Sequence, residues 1–175
     1  MLNKVILWSM IVIPWLSLLL LRRDVVKRYM PVAIFTSLLM TIYNEIAFTQ
    51  NHWQIKVKII PQLVSMAPFV YGAFIPLVIW IFCFTFHQFW LYLITNIGLD
   101  LLFAFPVDYF FQARGIYELV NITQTQRFML FVTLAIVIYG YQRWLESVLK
   151  KAEHHDKSMF DIDPRRWFGA RERTR

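Results

Sequence analysis

The chain contains few cysteines, glycines and acidic residues, and each shortage excludes particular kinds of functional site. Its 175 residues include one cysteine, five glycines and 11 aspartates and glutamates. A single cysteine, Cys83, excludes an internal disulfide and a site built from paired metal thiolates. The sequence also lacks a glycine-rich phosphate loop, a His-Glu-x-x-His zinc motif, a Gly-x-Ser-x-Gly elbow and an aspartate-rich array. We therefore expect no catalytic motif, no metal site and no cofactor, and an enzyme is the less favoured class.

Apolar and aromatic residues are abundant. Hydrophobic residues make up 58% of the chain, 16 residues are phenylalanine, and the mean hydropathy is +0.49. These values lie outside the range of soluble domains and indicate an integral membrane protein. The net charge of +7 is unevenly distributed along the chain, which a membrane explains better than a nucleic-acid partner does.

Five segments have the roughly 17 to 25 residues that a bilayer requires. The first is followed by Arg22-Arg23-Asp24 instead of a cleavage site, so we expect it to be retained. The apolar run 64–111 is too long for one crossing and predicts a turn near 85–88, although three or four spans with one interfacial segment remain an alternative. The preferred fold is an all-α, five-span helical bundle, with spans at 5–21, 30–48, 64–84, 89–111 and 128–145.

The distribution of basic residues predicts an orientation. Thirteen lysines and arginines follow the first or fifth span, and five lie at the N-terminus or in the other connections. The positive-inside rule then puts the N-terminus outside and the C-terminus in the cytoplasm. We expect a membrane domain over residues 1–145 and a cytoplasmic amphipathic, basic tail over 146–175.

The tail carries two patterns. Trp144, Leu145, Val148, Leu149 and Ala152 recur at helical spacing, so the last helix is predicted to continue along the membrane surface. Further on, basic and aromatic residues alternate, a composition that binds either RNA or lipid. Beside a membrane we favour anionic lipid headgroups as the partner, without nucleic acid, and the predicted lipid-anchoring residues are Arg165, Arg166, Trp167 and Phe168.

Two stretches at the ends of the second and fourth spans resemble each other. Residues 44–53, NEIAFTQNHW, align with residues 108–117, DYFFQARGIY. Both continue into alternating apolar and polar residues, over 53–59 and 116–122, which is the period of an extended strand. This pattern predicts a parallel two-helix repeat, an arrangement that in membrane carriers places a site between the halves.

Polar residues recur every four positions along two spans. On the second span, Ala33, Ser37, Thr41 and Glu45 form one ridge, whose small residues also suit close packing against another helix. The fourth span has the corresponding ridge Tyr92, Asn96, Asp100, Ala104 and Asp108.

If the two ridges face each other, they form an outward-facing acidic pocket. Its predicted ligand- or proton-binding residues are Glu45, Asn96, Asp100 and Asp108. Asp100 lies near the middle of its span, where an unpaired ionised carboxylate costs several kcal/mol, so we expect it to be protonated and hydrogen-bonded to Asn96, Tyr92 or another span.

Two further features bear on this pocket. Glu45 and Asp108 lie nearer the outer surface, and we expect each to stay ionised by pairing with Arg114 or Lys56. Pro68 and Pro76 predict a bent or broken third span that opens a cavity beside the carboxylates.

Three functions fit these features. The preferred one is that the pocket binds or passes a cation, a proton or a small amine. The second is a non-catalytic accessory protein whose ridges bind partner spans and whose tail binds anionic lipid. The third is a membrane enzyme acting on a lipid or isoprenoid, with Asp100 or Glu45 as general acid.

The stretches TSLLMTIYNEIAF, FWLYLITNIGLDLLFAFPVDYFFQARGIYELVN and IVIYGYQRWL resemble an uncharacterised family of small multi-pass membrane proteins of Gram-positive spore-forming bacteria. The resemblance implies a bacterial cytoplasmic membrane location and carries no activity or ligand. A second resemblance is to small membrane lycopene-cyclase domains, in which an acid precedes a Gly-Ile-aromatic turn, as Asp108 precedes Gly115-Ile116-Tyr117. The paired glutamates expected of those cyclases are missing here, which argues against acid-catalysed cyclisation.

Overall fold

A computed structural model describes residues 2–63 and 66–160 of the chain. Within these residues five helices are long and apolar enough to cross a membrane, as the sequence predicted. The third span begins at Pro68, four residues later than expected, and the turn between the third and fourth spans lies where it was predicted. The spans are Leu2–Leu20, Arg23–Thr49, Pro68–Thr85, Phe89–Ala113 and Gln124–Lys151.

The spans contain six α-helices and three short segments of other helical types. A three-residue 3₁₀ turn, Leu18–Leu20, ends the first span, and π-helical segments occupy Pro68–Phe74 in the third and Phe103–Val107 in the fourth. The α-helices are α1 (Leu2–Ser17), α2 (Arg23–Thr49), α3 (Ile75–Thr85), α4 (Phe89–Leu102), α5 (Asp108–Ala113) and α6 (Gln124–Phe160).

Both π-helical segments contain a proline. Pro68 begins the first and Pro106 lies inside the second. Pro68 lies in the first turn of its helix, where a missing N–H costs no bond. Pro76, just after the first segment, and Pro106 lack an N–H that a regular α-helix would use, which favours a local change of winding. The predicted interruption of the third span is therefore a π-helical stretch in a continuous helix instead of a break.

The α-helices α2 and α5 end in the same local structure. At the end of α2, Asn51 has a φ of 52° and the His52 N–H donates to the Ala47 carbonyl at 2.8 Å. At the end of α5, Gly115 has a φ of 62° and the Ile116 N–H donates to the Phe111 carbonyl at 3.0 Å. These are Schellman motifs, in which a left-handed residue reverses the chain and satisfies the last carbonyls.

Each Schellman motif leads directly into a short strand. Strand β1 (Trp53–Ile55) pairs antiparallel with β2 (Tyr117–Leu119), with Gln54 opposite Glu118. The alternating patterns therefore form strands, which adds a two-stranded sheet, called here the hairpin sheet, to a fold expected to be all-α. The two-helix repeat itself stays a prediction.

The first span packs on the third where Gly72 allows close approach. A Cβ at Gly72 would lie 2.7 Å from the Met10 carbonyl oxygen and 2.9 Å from the Ile11 Cα. Nearby, Leu7, Phe111 and Ile116 form a buried apolar cluster under the hairpin sheet. A side chain at position 72 would therefore push the two backbones apart.

The described residues divide into two compact units, with the boundary between Tyr139 and Gly140. The described part of the second unit is helical, as the tail pattern predicted, and the Gln142 side-chain amide donates to the Glu146 carboxylate at 3.3 Å. The predicted lipid-anchoring residues lie outside the described residues; they are Arg165, Arg166, Trp167 and Phe168.

Candidate functional site

The predicted ridge on the second span does not stay on one face. An α-helix has 3.6 residues per turn, so a side chain four residues further on is rotated by about 40° around the helix axis. Over the three steps from Ala33 to Glu45 this rotation reaches about 120°. Ala33 and Ser37 are buried, whereas Glu45 is exposed and lines neither of the cavities described below. The structure therefore does not bring Glu45 to either cavity, because helical drift turns it away from the bundle interior, and its inclusion in the acidic pocket stays a prediction.

A parallel ridge on the same helix faces inward instead. Thr36, Met40 and Asn44 are buried and all line cavities. The small-residue ridge packs within the chain: Ser37 is buried, and the Thr41 and Tyr71 hydroxyls lie 3.0 Å apart. Thr41 thus contacts the third span, and the binding of partner spans by this ridge stays a prediction.

The ridge on the fourth span does keep one face. Tyr92, Ala104 and Asp108 are buried, and Asn96 and Asp100 are half-buried. Four regular steps would drift by about 160°, but the π-helical segment adds a residue to the winding and turns the following side chains back by about 100°. The π-helix at Phe103–Val107 is thus what brings Asp108 round to the face of Asp100.

Asp100 lines a cavity of about 60 Å³, the carboxylate cavity. Its lining is predominantly apolar and includes Thr36, Tyr92 and Asn96 as the other polar side chains. Five aromatic rings surround the space, contributed by Phe74, Phe82, Tyr92, Phe103 and Phe131.

The polar neighbours of Asp100 are engaged elsewhere. Asn96 donates its side-chain N–H to the Tyr92 carbonyl at 2.8 Å, and the Tyr92 hydroxyl donates to the Ala135 carbonyl at 3.0 Å. Thr36 donates to the Val32 carbonyl. The Oδ2 atom of Asp100 is buried and has no hydrogen-bond partner among the described residues, so the expected bonds to Asn96 or Tyr92 are not formed by this oxygen.

A second cavity of about 80 Å³ lies beside the hairpin sheet and is called here the hairpin cavity. Trp53 and Ile55 of β1 and Tyr117 of β2 form part of its wall. Asn44 and Arg127 are its other polar lining residues, and the remainder of the wall is apolar.

Asp108 is fully buried in a polar network next to this cavity. Its Oδ1 lies 2.9 Å from Nη1 of Arg127, whose side chain is only 8% exposed. Gln112 and Gln124 donate to Oδ2 at 2.6 and 3.2 Å, and the Tyr117 hydroxyl donates to Oδ1. This network connects α5, β2 and α6, and it neutralises the only acid of the ridge that reaches the hairpin end of the bundle.

The observed ion pairs differ from those expected from the sequence. Asp108 pairs with Arg127, and Lys56 pairs with Glu118 across the hairpin sheet at 2.6 Å. Arg114 contacts the Phe110 ring instead. Asp108 lies on α5 and Arg127 on α6, and the packing of these helices brings the two side chains together. The spacing of residues along the sequence does not reveal this contact.

Arg127 is the site residue that sequence reasoning missed, since it was counted with the loops. A signal was present in the chain. Arg127, Phe131, Ala135 and Ile138 recur at spacings of four, four and three, the pattern of one helical face, and the last three line the carboxylate cavity. This periodicity places Arg127 on the inward face of the fifth span.

The described part of the chain contains no group of three histidine, cysteine, aspartate or glutamate residues able to hold a metal ion. No family model, curated protein or solved structure matches this chain. The candidate site is therefore defined by geometry and chemistry alone, as a carboxyl on a candidate membrane span whose buried Oδ2 has no partner among the described residues, in a cavity lined by aromatic rings.

Proposed function

We propose that the protein binds a small alkylammonium ion at Asp100 in exchange for a proton, in the bacterial cytoplasmic membrane. The observation that carries this proposal is the buried, unpartnered Oδ2 of Asp100 in the carboxylate cavity. A carboxyl at the middle of a span is costly to ionise without a partner, so it holds either a proton or a bound cation.

The lining of the cavity supports an organic cation. The faces of aromatic rings attract ammonium groups, and five such rings line the space around Asp100. Mg²⁺ and Ca²⁺ take about six or more oxygen ligands, whereas the lining has four polar side chains. A methylammonium ion satisfies both the carboxylate and the rings.

The size of the cavity sets a limit on the ligand. Its volume is about 60 Å³, and one water molecule occupies about 30 Å³ in the liquid. Methylammonium, with two heavy atoms, fits this volume. Tetramethylammonium has five heavy atoms and no N–H to donate to Asp100.

Binding and protonation are linked in this proposal. An alkylammonium ion pairs with the carboxylate form of Asp100, so a protonated Asp100 releases one proton for each ion bound. Protons then compete with the ligand, and the affinity for methylammonium falls as the pH falls.

The roles of the other predicted residues change accordingly. Asp108 is compensated by Arg127 and serves to hold the hairpin sheet on the bundle, while Glu45 takes no part. The orientation in which the hairpin end faces outward, expected from the positive-inside rule, makes this the side from which the ion enters.

The test is thermal stability of the detergent-purified protein in methylammonium chloride against sodium chloride at equal ionic strength. A ligand at 100 times its Kd stabilises the folded state by about 2.7 kcal/mol. We expect the stabilisation in the wild type, its loss in Asp100→Asn, and its retention in Glu45→Gln, which removes an exposed carboxylate.

Two results would contradict the proposal. One is no stabilisation of the wild type by methylammonium at any pH. The other is an equal shift in the wild type and both variants, which would indicate a general effect of the salt. Size-exclusion chromatography of Asp100→Asn checks that the isosteric change leaves the fold intact.

A further inference from the structure

The carboxylate cavity and the hairpin cavity share part of their walls. Four side chains line both spaces: Met40, Phe74, Phe103 and Phe131. They come from four different spans. The ring centroid of Phe74 lies 6.0 Å from that of Phe103 and 6.4 Å from that of Phe131, so the three rings form one contiguous cluster. These four side chains, the gate residues, are all that the two linings have in common.

We infer that the hairpin cavity is the vestibule through which the ion reaches Asp100, and that the gate residues control passage between the two cavities. This inference rests on the proposed function and adds to it a route and a gate.

Two of the gate residues occupy positions where the helix winding changes. Phe74 is the last residue of the π-helical segment in the third span, and Phe103 is the first of the one in the fourth. Such segments are weaker points in a helix and are frequent at functional sites. A small change of winding at either segment rotates a gate ring without moving the whole span.

The remaining gate residues allow such movement. Met40 is unbranched and adapts to irregular space, and Phe131 is half-buried. Both adjoin the open volume of the two cavities. A ring that rotates therefore has space to enter on either side.

The charges at the vestibule permit a cation to enter. An unpaired arginine in a passage repels cations. Arg127 lines the hairpin cavity, but its Nη1 is 2.9 Å from the fully buried Asp108, so the pair carries no net charge. Trp53, Phe69 and Tyr117 add aromatic rings to this wall, a type of side chain that attracts ammonium ions.

The experiment uses radiolabelled methylammonium and a single cysteine, introduced by Ile55→Cys in a Cys83→Ala background. Ile55 lines the hairpin cavity and not the carboxylate cavity. The cysteine is modified with a bulky maleimide either before or after the ion is added, and retained ion is measured after gel filtration. Val120→Cys, exposed in the same region and lining neither cavity, is the matched control.

We expect modification before the ion to prevent binding, and modification after it to slow release at least about tenfold. Modified Val120→Cys should behave as the unmodified protein does. If modified Ile55→Cys binds and releases methylammonium at the unmodified rates, the ion uses another route and the inference is wrong.

A second pair of variants tests the gate. Phe103→Ala removes a ring that lines both cavities and is expected to speed release at least about tenfold. Phe105→Ala, in the same π-helical segment but exposed and lining neither cavity, should leave the rate unchanged. Equal rates for the two variants would exclude Phe103 as a gate.

The proposed function fails by a different result. If the unmodified protein retains no methylammonium, or Asp100→Asn retains as much as the wild type, binding at Asp100 is wrong and the vestibule inference is overturned with it. Binding that needs Asp100 but ignores the maleimide and both phenylalanine variants leaves the proposed function standing and overturns the route alone.

Discussion

Replacing Arg127 with methionine is expected to destabilise the protein by about 3 kcal/mol. The change leaves the carboxylate of Asp108 fully buried without its cation, and losing one partner of a buried ion pair costs about 3 to 5 kcal/mol. Gln112, Gln124 and Tyr117 still donate hydrogen bonds to Asp108, so the carboxylate keeps three donors. We therefore place the loss at the lower end of that range.

A double variant that removes both charges completes a double-mutant cycle. In Asp108→Asn combined with Arg127→Met, no buried charge is left without a partner. The double variant is expected to recover at least about 2 kcal/mol of the loss caused by Arg127→Met alone. This non-additivity distinguishes an electrostatic cost from simple loss of packing.

The chain provides a matched control in its other ion pair. Lys56 and Glu118 lie 2.6 Å apart, closer than Arg127 and Asp108, but their side chains are 50% and 45% exposed. Water screens such a pair, so Lys56→Met should cost no more than about 1 kcal/mol. We thus predict that the burial of an ion pair, and not the distance between its atoms, determines how much stability is lost when one partner is removed.

The assay is equilibrium unfolding in mixed micelles of detergent and SDS, followed by tryptophan fluorescence. A loss below about 1 kcal/mol for Arg127→Met, or strictly additive effects in the double variant, would refute the argument that the network holds the hairpin sheet on the bundle.

The same assay tests two backbone predictions. Gly72→Ala should destabilise by about 1 to 3 kcal/mol, because its Cβ would lie 2.7 Å from the Met10 carbonyl oxygen, whereas Gly98→Ala meets nothing within 4 Å and should be neutral or stabilising. Gly115→Ala should cost about 1 to 2 kcal/mol, because Gly115 has a φ of 62°. Gly115→Asn should cost less, since Asn51 holds the equivalent conformation at the end of α2. Equal losses for the two variants would count against a conformational cause.

Much of the local structure could be predicted from the sequence. The apolar run 64–111 is longer than one crossing, and only His87 and Gln88 interrupt it, so a turn at that point is required by length. The alternation in 53–59 and 116–122 likewise predicted strands, which form over Trp53–Ile55 and Tyr117–Leu119. Both features depend on neighbouring residues and bilayer thickness alone.

The membership of the acidic pocket could not be predicted in the same way. Glu45 and Asp108 looked equivalent, since each ends a ridge of four-residue spacing. The second span is a regular α-helix, so its ridge drifts outward, whereas the π-helical segment at Phe103–Val107 corrects the drift of the fourth. Pro106 indicates an irregular helix at this point, but it does not indicate that the irregularity is a π-helical turn with one extra residue.

What the sequence by itself determined is the number of helices suited to a membrane, the turn between the third and fourth, and a carboxyl at the middle of the fourth. Length, hydropathy and local periodicity suffice for these. The tertiary structure decided that Asp108 is paired with Arg127 and that Asp100 is left with an unpartnered oxygen in a cavity. Those outcomes depend on how each helix is rotated about its axis and on which distant segments meet, and such contacts arise only when the spans pack together.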